Sequence, residues 1–154
     1  YDKREKFIDD LMRKTPNIRF DLYGMKSQQP IWADNYINAI SQSKIGLNLS
    51  QGKTVKYYSS DRFAQLIGNG LLVMVDEKSK FKDFFSNKEL IFYKNINDLA
   101  EKINKYSNDD KSRNLIAKKG RNKYFKYFNS TIVADFIINK TLDINVKKKY
   151  LWHN

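Results

Sequence analysis

Apolar positions in this chain follow two alternating rhythms, spacings of three and four that mark helices and short runs that mark strands. Phe7, Ile8, Leu11 and Met12 share one face of a helix over residues 3–14, which Pro16 and Asn17 break. Ile18, Phe20 and Leu22 alternate with Arg19, Asp21 and Tyr23, which predicts a strand over 18–23 with one side less buried. Gly24 ends it, and residues 25–34 read as a loop. Tyr36, Ile37, Ala39 and Ile40 predict a helix over 35–42, and Ile45, Leu47 and Leu49 a strand over 45–49. The next helix carries Phe63, Leu66 and Ile67 on one face; Ser59 or Ser60 can cap it, and Gly68, Asn69 and Gly70 stop it. Residues 71–75 are apolar on both faces, as a central parallel strand is.

Phe81, Phe84 and Phe85 then predict a short packing helix, and residues 90–93 a further strand. Asn95 with Asp98 forms a capping box ahead of Leu99, Ile103 and Tyr106. A long helix over 110–128 is expected to bury Leu115, Ile116, Tyr124, Phe125 and Phe128, and a last one over 131–142 presents Ile132, Val133, Phe136 and Ile137. Asn129-Ser130-Thr131 fits a glycosylation pattern, but no secretory signal opens the chain and the triplet reads as a helix cap. Strands alternating with helices predict an α/β fold: a Rossmann-like parallel sheet flanked by helices, with a helical carboxyl-terminal part.

The 154 residues suit one domain, taken as 1–142, followed by a basic tail over 143–154 that includes Lys147, Lys148 and Lys149. A hydrophobic share of 41% with 14% aromatics marks a folded chain. Without cysteine there is no disulfide scaffold, thiolate nucleophile or thiolate zinc site. The one histidine, His153, reads as a solvated tail residue and leaves no basis for a Ser/His/Asp triad. No apolar run is long enough to span a bilayer, so a cytoplasmic protein is expected. The net charge of +12 is spread over most helices, and solvated helix faces explain it as simply as phosphate or anionic-lipid attraction does.

The chemistry concentrates between Lys44 and Asp76. In open α/β sheets ligands sit at strand carboxyl ends, against the amino ends of the following helices. Asp61 and Gln65 suit a ribose diol, and Arg62 suits a diphosphate that its planar fork can bind bidentately. Ser59, Ser60 and the helix N–H groups can share that diphosphate, with Lys53 and Lys56 closing over it. Asn48 and Ser50 stand at the carboxyl end of their strand, and Gly24 permits close approach of a flat base. Trp32, Tyr57 and Tyr58 can stack on a base or sugar, or simply pack. The plain alternative is a capped surface helix with a polar stripe. Asp76 and Glu77 read as surface residues, and no metal or other cofactor is expected.

The order of these pieces resembles the carboxyl-terminal, donor-binding half of GT-B-fold glycosyltransferases, in particular the bacterial group-1 family. RFAQLIGNG, from Arg62 to Gly70, matches its R-x-x-E helix and small-residue turn in spacing. NINDLAEKI and SRNLIAKKGRNKYFKYFN match its closing helices, so the resemblance spans roughly residues 18–136. The ribose-binding glutamate of that family falls on Gln65, and the first acid of its paired-glutamate motif on Tyr57. LNLSQGKTVKYYSSDRF is similar to the fucosyltransferase pattern F-E-N-S followed by Y-x-T-E-K. That likeness puts the ribose acid on Asp61, the diphosphate cation on Arg62 and a second diphosphate arginine on Arg4.

The resemblance implies a nucleotide-sugar donor site, with Gly24, Tyr23 and Met25 bordering the base, serving a saccharide or lipid-linked acceptor in cell-surface polysaccharide synthesis. No strand precedes Lys3 and no acceptor-binding half is seen, so a fragment of a two-domain enzyme is expected, inactive alone. A second copy could fill the vacant sheet position, and contact with the inner membrane face is a further expectation. The rival reading is a non-catalytic basic α/β module that binds nucleic acid or a protein partner.

Overall fold

A computed structural model describes residues 3–50, 52–144 and 150–153. Its elements are α1 (Lys3–Lys14), α2 (Ala33–Gln42), β1 (Ile45–Asn48), α3 (Asp61–Gly68), β2 (Leu72–Asp76), β3 (Ile91–Tyr93), α4 (Ile96–Asn108), α5 (Asp110–Tyr127) and α6 (Ser130–Thr141). Two 3-10 turns, Glu77–Ser79 and Phe81–Asp83, lie between β2 and β3. The three strands form one parallel sheet in the order β1-β2-β3, with Gly46 opposite Val73 and Val75 opposite Phe92. This is the Rossmann-like α/β arrangement that alternating strands and helices imply.

β2 is central and its side chains divide the core. Leu71, Val73 and Val75 point to one side, among Ile40, Phe63, Leu66, Ile67, Phe81, Phe85, Leu90 and Phe92. Leu72 and Met74 point to the other, among Leu11, Ile91, Tyr93, Leu99, Ala100, Ile103 and Ala117. The period of two along a strand dictates this split. The caps follow their sequence signatures. Ser60 accepts from Phe63 N–H, Asn129 from Ile132 N–H, and Asn95 from the N–H groups of Asn97 and Asp98.

Three expectations change. Residues 18–23 form no strand: Ile18 and Phe20 pack against the Leu72 side of the core, but the segment joins no ladder and β1 stays at the sheet edge. Its neighbouring ties run to α1 and to Thr15 just after it instead. Ile18 N–H bonds Thr15 O at 3.0 Å, Lys26 N–H bonds the Glu5 carboxylate at 2.9 Å, and the Lys26 ammonium pairs with Asp9. In α5, Leu115 and Phe125 are exposed, and the buried positions are Arg113, Ala117 and Gly120. In α6, Val133, Ile137 and Ile138 face solvent, whereas Asp135 and Asn139 are half-buried and meet the Tyr150 hydroxyl at 2.9 and 3.1 Å. Half of the basic tail, Lys147 to Lys149 included, lies outside the described residues. Among the described residues no helix is long and apolar enough to cross a membrane.

Two carboxylates tie segments together and carry a pH prediction. Burial raises the Glu89 pKa, but Ser86 N–H and O–H, aided by Lys123, outweigh it and hold the carboxyl below its ordinary value of 4.5. Burial likewise opposes ionisation of Asp98, and the Lys102 ammonium with Lys94 N–H overcomes it, so this pKa is also lowered. A depressed folded-state pKa contributes stability that is present above the unfolded value and lost as pH falls through the folded one. The thermal midpoint should therefore hold near neutrality and fall below about pH 4.5, with Glu89→Gln flattening part of the decline. A wild-type midpoint that stays level down to about pH 3 would contradict this linkage.

Candidate functional site

β1 ends at Asn48 and β2 at Asp76, so both deliver their last side chains to the same end of the sheet. From β1 the chain crosses an irregular loop and enters α3 at Asp61. Ser60 has extended backbone (φ −80°, ψ 159°), which lets its Oγ turn back to accept from Phe63 N–H at 3.3 Å. The same hydroxyl donates to Asn48 Oδ1 at 3.2 Å, joining the strand end to the helix start. Arg62 Nη1 donates to Leu49 O at 3.0 Å, which braces an exposed guanidinium over the strand terminus. Asp61 and Gln65 are exposed on α3, Ser59 is exposed just before it, and Ser50 is half-buried.

A groove of about 660 Å³ opens beside this helix, between the 18–25 segment and β1. Arg62, Arg4, Gly24, Tyr23, Met25 and Tyr36 contribute to its walls. Gly24 sits at φ 68°, a left-handed conformation that costs a glycine little. Burial raises the Tyr36 hydroxyl pKa, and the nearby Arg62 charge partly opposes that rise. Arg4, Gly24 and Arg62, which lie far apart in sequence, thus share one cavity. Asn48 and Ser60 form a second pair, held to each other at the neighbouring strand end. Tyr58 and Trp32 are exposed at 59% and 75%, so their rings stand at the surface instead of in the core.

Sequence reasoning missed how the loop before α3 is fastened. Thr54 Oγ1 donates to Asp76 Oδ2 at 3.2 Å, and Tyr57 N–H donates to Ser79 O at 2.9 Å. The Tyr57 hydroxyl donates to Asp83 at 2.5 Å, and its ring lies 4.9 Å from that of Phe84. Tyr57 is therefore bonded through its hydroxyl and lies against Phe84, with 41% of its surface still exposed. Asp76 is half-buried, not a plain surface acid; it also accepts from Lys78 N–H. Burial and the Asp76 charge push the Tyr93 hydroxyl far above its ordinary pKa. The sequence signal was a carboxylate at the end of the central strand, but nothing local names its partner. Among the described residues, no group of three or more His, Cys, Asp or Glu side chains could hold a metal ion.

A family model described as glycosyl transferase-like matches residues 3–139, which takes in the groove, the loop and α3. No curated protein and no solved structure matches the chain.

Proposed function

The chain belongs to the glycosyl transferase-like family, and from that premise we propose that it binds the nucleoside diphosphate portion of a sugar donor. The carrying observation is Arg62, braced by Leu49 O in the first turn of α3, on a groove that Arg4 and Gly24 also line. A diphosphate at that point would meet two guanidinium groups, the α3 N–H ends and the Ser59 hydroxyl, with the Ser60 hydroxyl joining on release of Asn48. Such charge-assisted contacts suit a leaving group that gains negative charge as the sugar departs.

In this reading Asp61 and Gln65 hold the ribose hydroxyls. Gly24, Tyr23 and Met25 border the base, while Asn48, Ser50 and Tyr58 line the path to the sugar. The residues supply orientation and charge stabilisation, and the acceptor, with any general base, approaches from a surface beyond this groove.

Binding of UDP, GDP, ADP and CMP, with their sugars, tests the proposal by calorimetry and thermal shift. One nucleoside diphosphate should stabilise the chain. Arg62→Ala should weaken that binding by about 2 kcal/mol, roughly 30-fold, the usual worth of a hydrogen bond to a charged group. Lys118→Ala, an exposed cation on α5, should leave affinity unchanged. Equal losses in both variants, or a steep salt dependence without nucleotide preference, would point to diffuse polyanion binding instead.

A further inference from the structure

The loop over residues 52–60 leads into the first turn of α3, beside the strand end at Asn48, yet it contains no helix or strand of its own. Its shape depends on what it is tied to. Three hydrogen bonds and one ring contact fasten it to the end of β2 and the segment just after it: Thr54 to Asp76, Tyr57 N–H to Ser79 O, Tyr57 hydroxyl to Asp83, and the Tyr57 ring to Phe84. The Lys56 ammonium also lies 4.5 Å from the centre of the Tyr57 ring. Tyr57 adopts φ 60°, a left-handed backbone disfavoured for a residue with a Cβ. Such a conformation persists where surrounding contacts over-determine it.

From this geometry we infer that Thr54 and Tyr57, acting through Asp76 and Asp83, are positioning residues for the donor loop. The inference rests on the donor-binding reading above. Tyr57 faces away from the ligand path, because its hydroxyl and ring are both committed to the segment after β2. Its neighbour Tyr58 is the more exposed of the two, at 59% against 41%. The pinned loop presents Ser59, Ser60 and the first turn of α3 in one arrangement before ligand arrives. Apparent affinity is reduced by the fraction of molecules in the competent state, so loosening the loop weakens binding without removing any ligand contact.

The test pairs Thr54→Val, which keeps the shape and loses the hydroxyl, with Tyr57→Phe, which keeps the ring. Amide exchange by NMR reads the loop without ligand, and calorimetry reads affinity for the nucleoside diphosphate that binds the wild type. In both variants exchange over residues 54–60 should accelerate about tenfold while α4 amides stay unchanged. Affinity should fall about fivefold, in line with the lost competent fraction. Asp83→Asn, which keeps an acceptor for the Tyr57 hydroxyl, should bind like the wild type, and Asp83→Ala like Tyr57→Phe.

Unchanged loop exchange in both variants would overturn the latch itself. Faster exchange with unaltered affinity would overturn the positioning role and leave the donor reading intact. Failure of the wild type to bind any nucleoside diphosphate would overturn the donor reading and the positioning role with it.

Discussion

Replacing Gly120 by alanine should lower the thermal midpoint by roughly 5–10 °C, although alanine is the better helix former. In an open helix interior the change would be worth about 1 kcal/mol in favour of alanine. Gly120, however, is where α5 crosses the chain just before β3. A Cβ built there lies 2.2 Å from Glu89 O, 3.2 Å from Glu89 C and 3.7 Å from its Cα. Those atoms are backbone and cannot rotate away, so the helix must move off the sheet. Overpacking of this kind costs about 1–3 kcal/mol, sometimes more, and here it exceeds the propensity gain. Gly68→Ala in α3 is the control, since its nearest outside atom is Phe125 Cζ at 3.9 Å. That variant should be neutral or slightly stabilising. A midpoint for Gly120→Ala at or above the wild type would mean that α5 does not approach β3 this closely.

Phe63→Ala should cost about 3–5 kcal/mol in chemical denaturation, the range for a fully buried aromatic. Phe63 is 1% exposed. Its ring stacks on Phe81 at 4.8 Å with planes 10° apart, and meets Phe85 and Tyr124 edge-on at 6.3 and 6.1 Å. Three rings would thus face a void that the surrounding elements only partly close. The change also bears on the site, because Phe63 directly follows Asp61 and Arg62 and seats the first turn of α3. Nucleoside diphosphate affinity should fall along with stability, under conditions where the variant is still folded. Phe63→Leu should lose roughly half as much stability and retain more of the binding. Equal, small losses for both variants would show that the aromatic cluster is looser than its ring geometry implies.

The elements that positioned the groove were the ones the sequence expressed locally. α3 announced itself through a serine cap, an acid in its first turn and a Gly-Asn-Gly stop, all within about a dozen residues. β2 was legible because a strand covered on both faces must be apolar throughout. Residues 18–23 show the limit of that logic. Alternation reports that Ile18 and Phe20 are half-buried, and they are, but it cannot say which backbone will pair with the segment. Ties around it to Thr15, Glu5 and Asp9 hold it beside α1.

α5 misled for a different reason. It presses so close to the sheet that its contact face is built from Ala117 and Gly120, while Leu115 and Phe125 stand outside. Counting large apolar residues therefore picked out part of the wrong face. Arg113, buried there, donates to Tyr106 O at 3.0 Å and to Asp110 at 2.5 Å, a pairing that no hydrophobic pattern contains. The loop fastening was equally hidden, since Thr54 and Asp76 lie 22 residues apart, and Tyr57 and Asp83 lie 26 apart.

The alternation of β2 has a consequence for how this protein can vary. Because Val73 and Val75 look one way and Leu72 and Met74 the other, the sheet acts as a bulkhead between two compartments. A substitution beneath α3 can be absorbed by Phe81, Phe85 or Leu90 without disturbing Leu99 or Ile103 behind the sheet. The wall that carries Arg62 is thus free to adapt while the packing of Leu99 and Ala100 behind the sheet is kept. The exception is α5, which lends Ala117 to one compartment and Tyr124 to the other. Gly120 lies between those two positions, so change that must be felt on both sides passes beside a residue whose side chain would meet the Glu89 backbone.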